Sequence, residues 1–207
     1  MSERVVVDPI TRIEGHLRQT DLPVVSAARR LVSGIAAVVS RHPDGAPVVR
    51  VMPNQPALID QGISALIANQ RTSAAGRDMA EKIMSAVGHV VWLEAEEKMD
   101  AVTAVSGTGP SYFYLLIDVM IESAMKYGID EKTARTLAVE TARGATSLAA
   151  AETESMSSLI ERVRSPGGTT TAAFECLDAA DVRGILAAAI DAAEKRAAEL
   201  AKDAGST

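Results

Sequence analysis

A mainly α fold, with a helical domain preceded by a small α/β portion, is predicted by three observations. The β-branched run Val48-Val49-Arg50-Val51-Met52 stops at Pro53, and two further short strand candidates, Gly62 to Asn69 and Gly88 to Leu93, flank a single helical stretch. Beyond Glu94 the chain reads as helix throughout, punctuated by Gly and Pro. Aromatic residues are only 3% of the chain while alanine is abundant toward the C-terminus, a composition that suits closely packed helices better than stacked sheets.

The elements follow in order. Val5-Val6-Val7 reads as a strand, and the polar stretch Thr11 to Thr20, which contains His16, sets residues 1–20 apart as an extra N-terminal segment. Ala27 to Ser40 fits a helix containing Gly34, while Leu31 to Val39 within it fits a buried strand equally well. Ser73 to Val87 begins on an N-capping serine and carries Met79, Ile83 and Val87 at helical spacing. Residues 21–94 therefore form the small α/β portion, and 95–207 the helical domain. In the latter, Ser111 to Tyr127 ends at Gly128, Asp130 caps a helix to about Ala151, and Ser155 to Val163 is short. Gly168 to Leu177 follows a Pro-Gly-Gly break, and Asp181 caps a final helix reaching Lys202. The Ser111 helix has Phe113, Leu115, Leu116, Ile117, Val119 and Met120 on nearly every face, so it must be surrounded. A chain of 207 residues has few helices of its own to do this, which predicts a dimer with intertwined helices.

Composition excludes several functions. The 21 basic residues are outnumbered by 27 acidic ones and are scattered, so no phosphate-tracking nucleic-acid surface is expected. Cys176 is the one cysteine, which rules out an intrachain disulfide or a thiolate metal cluster; a small buried side chain is its expected role, and no metal site is expected. No early charged-then-apolar stretch ends in a cleavage site, and the longest apolar helix, Tyr112 to Met125, is interrupted by Asp118 and Glu122. A cytoplasmic protein without membrane contact is the expectation.

Three segments could carry chemistry. Asn54 follows a strand end, where α/β proteins commonly present ligand contacts, although an Asn after Pro also suits a plain turn. Ala101 to Pro110 reads as a loop whose Gly107 and Gly109 let the backbone approach a ligand, ahead of a helix start that favours an anion such as a carboxylate. With Tyr112 at its sixth position it is not a dinucleotide loop. Ser165-Pro166-Gly167-Gly168-Thr169-Thr170 has the same design. His16, His42 and His89 lie outside these segments and are given no catalytic work.

Three blocks, Val-Val-Arg-Val-Met-Pro-Asn at 48–54, Asp-Ala-Val-Thr-Ala-Val-Ser-Gly at 100–107 with Gly109-Pro110, and Ser-Pro-Gly-Gly-Thr-Thr at 165–170, occur in this order. Through them the stretch from Val48 to about Ala201 resembles the C-terminal part of pyrroline-5-carboxylate reductase, the NAD(P)H-dependent enzyme of the last step of proline synthesis. The resemblance implies that residues 21–94 are the remnant of a truncated Rossmann cofactor domain and that 95–207 form a helical dimerisation and substrate domain, interlocked with a second copy. It implies that the Thr103 hydroxyl bonds the ring nitrogen of the substrate. It also implies that Ser106, Gly107, Gly167, Gly168 and Thr169 bind its carboxylate, and that Asn54 lies near the nicotinamide end of NADH or NADPH. Gln55, Thr108 and Asp178-Ala179-Ala180 depart from the usual family residues without destroying the pocket.

The larger departure lies upstream, where no Gly-x-Gly-x-x-Gly follows any strand, so cofactor affinity is expected to suffer. The alternative expectation is an inactive dimerisation module that binds a small carboxylate or pairs with a full-length relative. Val5 to Arg18 resembles instead the start of nickel-iron hydrogenase large subunits, with Glu14 in the motif near the metal centre. The paired Cys-x-x-Cys motifs of that family are absent from the sequence, which excludes a hydrogenase.

Overall fold

The computed structural model describes residues 4–7 and 47–205. The expected helix at Ala27 to Ser40, or strand at Leu31 to Val39, lies outside them, as does the rest of the hydrogenase-like segment after Val7. The described residues fall into two compact units, one holding those up to Pro110 together with those from Ile190, the other Ser111–Ala189.

The first unit is built on a four-stranded mixed sheet in the order β1 (Arg4–Val7), β2 (Val48–Met52), β3 (Gly62–Ala68) and β4 (Gly88–Trp92). β1 runs parallel to β2, with Arg4 opposite Val48. β2 and β3 are antiparallel, Val51 facing Leu66. β3 and β4 are parallel, with Gly62 opposite Gly88. A parallel pair needs a crossover, and α1 (Ala74–Ser85) supplies the one between β3 and β4. It starts where its sequence says: the Ser73 hydroxyl accepts the Gly76 N–H at 3.0 Å. Alternation along the strands sends Val49, Val51 and Leu66 to the α1 side, where they pack with Ala80, Met84 and Val87. Met52 and Ala65 face the other way and pack on Met99.

Two glycines set how closely the strand starts approach. Gly88 has φ +146°, and a Cβ there would sit 2.0 Å from the Gly62 carbonyl oxygen. A Cβ on Gly62 would meet the backbone of Ala57 at 2.8 Å, so the 3₁₀ turn Gln55–Ile59 is folded tightly onto β3. Gly88→Ala combines a disfavoured backbone with a backbone clash and is expected to cost about 3 kcal/mol or more of unfolding free energy. A urea-denaturation midpoint unchanged from that of the parent protein would contradict this.

The second unit is helical. α3 (Gly109–Lys126) enters it, and α4 (Glu131–Ala151), α5 (Met156–Val163) and α6 (Thr169–Ala179) follow, after the short α2 (Met99–Val102) of the first unit; α7 (Val182–Gly205) closes the chain. The caps fall where the sequence places them. Asp130 accepts from the Thr133 N–H, and hydrogen bonding from the Thr133 side chain, then from its N–H, holds the Asp130 carboxyl below the usual range; Ser155 accepts from Ser158, and Asp181 accepts from Gly184. A Cβ at Gly184 would collide with the Asp181 carboxylate, so this glycine is what lets Asp181 reach its cap. α3 does not find among the described residues the surroundings it needs: Leu115 is 61% and Leu116 57% exposed. Cys176, expected to be buried, is exposed on α6, because the helices of this unit leave broad faces uncovered. Among the described residues no helix is long and apolar enough to cross a membrane.

Candidate active site

Asn54 is the first polar group of the site. It stands just beyond β2, before the 3₁₀ turn, and is more than nine-tenths buried. Its side chain does not cap that turn; its Oδ1 accepts the Ile63 N–H at 3.0 Å and thereby ties the end of β2 to the start of β3. That bond fixes the orientation of the amide, since an N–H can be met only by the oxygen. The Nδ2 group is left as a buried donor with no partner among the described residues. Asn54→Ala strands the Ile63 N–H and is expected to cost about 1–3 kcal/mol. Asn54→Gln, with its amide displaced by one methylene, separates the two roles, and a melting temperature equal to the parent's in the alanine variant would remove the structural one.

The segment expected as a loop at Ala101 to Pro110 is helical instead. After α2 the chain makes one π-helical turn, Thr103–Gly107, closed by the Thr108 N–H to the Thr103 carbonyl at 2.8 Å, and runs straight into α3 at Gly109. The open helix start expected near Pro110 or Ser111 is therefore preceded by a hydrogen-bonded turn. An extra residue in a turn widens it, and such widened turns recur at functional sites. Gly107 permits it: a Cβ there would sit 2.6 Å from Met52 Cε, and Met52 is fully buried two residues before Asn54. The turn is thus pressed onto the strand that delivers Asn54.

The wide turn also orients its hydroxyls. Thr103, 4% exposed, gives its proton to the Met99 carbonyl at 2.9 Å, and Ser106 gives its proton to the Val102 carbonyl at 3.0 Å. Each oxygen keeps its lone pairs for an incoming donor. Arg50, on β2, is ion-paired with Glu96 just ahead of this region.

Gly167, Gly168 and Thr169 lie in the second unit, at the start of α6. Gly167 has φ +71°, and a Cβ on Gly168 would sit 2.2 Å from Ser165 Oγ, so both glycines are required by the turn itself. The Ser165 carbonyl accepts the Gly168 N–H at 2.9 Å and the Thr171 hydroxyl at 2.7 Å. No side chain caps α6, which leaves first-turn N–H groups for an acceptor.

Residues 96–200 match the family described as pyrroline-5-carboxylate reductase dimerisation. The chain is 38% identical over 186 residues to the pyrroline-5-carboxylate reductase of Haemophilus influenzae, covering 86% of this chain and 69% of that one. It belongs to the pyrroline-5-carboxylate reductase family. The Pseudomonas aeruginosa reductase is 45% identical over 159 residues, 77% of this chain, and the chain spans 58% of that relative's length. The solved pyrroline-5-carboxylate reductase of Coxiella burnetii superposes with a TM-score of 0.72 at 36% identity, covering 76% of this chain and 58% of that one. A Plasmodium falciparum pyrroline carboxylate reductase with NADP bound gives a TM-score of 0.71 at 26% identity, over 74% of this chain and 58% of that one.

The family motifs thus divide by unit. Asn54, Thr103, Ser106 and Gly107 sit on neighbouring elements of the first, and Gly167 to Thr169 in the second. Sequence reasoning passed over Met52, whose side chain seats the wide turn, and Gly62 and Gly88, which set the strand starts. Only the glycines carried a signal, each opening a strand.

Proposed function

We propose that the chain carries the substrate-binding and self-pairing part of a pyrroline-5-carboxylate reductase, reducing 1-pyrroline-5-carboxylate to L-proline in the cytoplasm. One observation carries this reading: the wide turn Thr103–Gly107 is pressed through Gly107 onto Met52, two residues from the buried, half-satisfied amide of Asn54. Family membership supplies the substrate class.

The roles follow from the atoms available. Thr103 Oγ1, its proton committed to Met99, presents lone pairs to an N–H of the five-membered ring. Ser106 and Gly107, in the same turn, are assigned to the carboxylate of the substrate. Gly167, Gly168 and Thr169 are assigned to carboxylate recognition on the strength of the uncapped start of α6. Asn54 Nδ2, a buried donor without a protein partner among the described residues, fits an oxygen at the nicotinamide end of NAD(P)H. That cofactor, when bound, supplies the hydride for the imine carbon. The chain's own residues hold the ring and its carboxylate in place, which is where orientation lowers the barrier. Residues 21–94 are read as the cofactor side and 95–207 as the helical pairing domain, through which two copies associate.

The test is a purified-protein assay of NADPH oxidation that depends on added 1-pyrroline-5-carboxylate, paired with melting curves in L-proline and in NADPH, since a ligand of the folded state raises stability by mass action. Turnover above background with both melting shifts is the expected result. Absence of turnover and of a shift with L-proline would overturn the reading.

A further inference from the structure

The second unit carries a groove of about 610 Å³ between α3 and α4, walled on one side by Tyr114, Leu115, Ile117 and Ile121 and on the other by Val139. Two charges interrupt this apolar lining, Asp118 on α3 and Arg135 on α4. Both are exposed, and neither has a hydrogen-bond or ion-pair partner among the described residues. Three arginines of the unit are ion-paired within it, Arg143 with Glu140, Arg162 with Glu152 and Glu154, and Arg164 with Glu161. An anion and a cation left over in one apolar groove are complementary to each other, and therefore to the same groove on another copy.

We infer that the groove seats the second copy of this chain, and that Asp118 of each copy pairs with Arg135 of the other, so that two symmetric ion pairs select the chain's own kind and fix the register of the paired helices. This rests on the self-pairing reading above and adds to it the residues that choose the partner. In a two-fold interface a contact from one residue to another occurs twice, with the copies exchanged. An apolar groove alone accepts any apolar helix, whereas a charge taken out of water without its counterpart is strongly disfavoured, so a mismatched helix or a shifted register is rejected. The groove lies within residues 96–200, the stretch matched as a dimerisation domain. It continues the exposed apolar surface of α3, which includes Phe113, Leu116 and Val119.

The symmetric arrangement has a consequence that can be measured with Asp118→Arg and Arg135→Asp. The first variant carries two cations in the groove and the second two anions, so each repels its own kind. Mixed together they restore both pairs. Sedimentation equilibrium and native mass spectrometry should find the parent protein dimeric. Each variant alone should have its dissociation constant raised at least about 100-fold, and the mixture should form a one-to-one heterodimer. Circular dichroism checks folding. If either reversal fails to fold, Asp118→Asn and Arg135→Gln are used instead, with weakened self-association expected for each and partial recovery on mixing, since the mixed dimer keeps one Asp118–Arg135 pair and leaves no charge unpaired. Variants that dimerise as tightly as the parent would overturn the ion pair while leaving self-pairing intact. Variants that dissociate but do not rescue each other would show that the two charges do not meet across the interface. A parent protein that is monomeric at micromolar concentration would sink the self-pairing reading and this inference with it.

Discussion

Thr103→Val is expected to lower kcat/KM for 1-pyrroline-5-carboxylate by about 100-fold or more, the usual loss when one placed hydrogen-bonding group is removed from the reacting centre, while leaving the fold nearly intact. The two effects separate because of how the hydroxyl is held. Valine has the same branching and fills the same buried space beside Met99 and Gly107. The bond it removes, from Oγ1 to the Met99 carbonyl, leaves that carbonyl still accepting the Thr103 backbone N–H. Loss of a hydrogen bond whose remaining partner stays satisfied costs about 1 kcal/mol or less, which moves the melting temperature of a chain of this size by about 2–4 °C. Thr103→Ser, which restores the hydroxyl, should recover most of the rate. A valine variant that turns over as fast as the parent would remove Thr103 from the reacting centre. One that melts far below it would mean that the Met99 bond holds the wide turn together.

The features legible in the sequence are those fixed by local chemistry. Val48–Met52 declares itself by β-branching and by Pro53, and the helix starts by Ser73, Asp130, Ser155 and Asp181, each of whose side chains accepts a backbone N–H three residues on. The family motifs were legible for the same reason, since each is a short run in which glycine or proline is required by a turn. The form of Thr103–Gly107 was not. Its threonine, serine and glycine read as a loop, and only the seat offered by Met52, from a strand more than fifty residues earlier, makes a hydrogen-bonded turn of it. Asn54 was singled out for its place after a strand, yet its bond to Ile63 depends on the antiparallel return of β3, which no local pattern encodes. Pro56, at the start of the turn Gln55–Ile59, is a local cue for that turn. Cys176 is exposed where its residue type favours burial, because the helices of its unit leave broad faces uncovered in the single chain.

That uncovered helical surface underlies the other large effect, a loss of self-association in Leu115→Glu by about 1,000-fold or more. Leu115 is 61% exposed in the single chain, so the substitution takes nothing from the fold of the monomer and even improves the hydration of α3. In a paired state the same side chain lines the groove between α3 and α4. Burying a leucine is worth about 1.5–3 kcal/mol, and in a two-fold interface the loss is suffered twice, so about 3–6 kcal/mol disappears before the cost of enclosing two carboxylates is added. At 1.4 kcal/mol per tenfold change, three decades in the dissociation constant follow. Leu115→Met, close in volume and apolar, should pair nearly as well as the parent. Because association stabilises the folded chain, the parent's melting temperature should rise with protein concentration and that of Leu115→Glu should not. Should Leu115→Glu sediment as a dimer as tight as the parent, the groove is not where the copies meet. Should it dissociate while the charge reversals at Asp118 and Arg135 do not, the copies meet there by apolar contact alone.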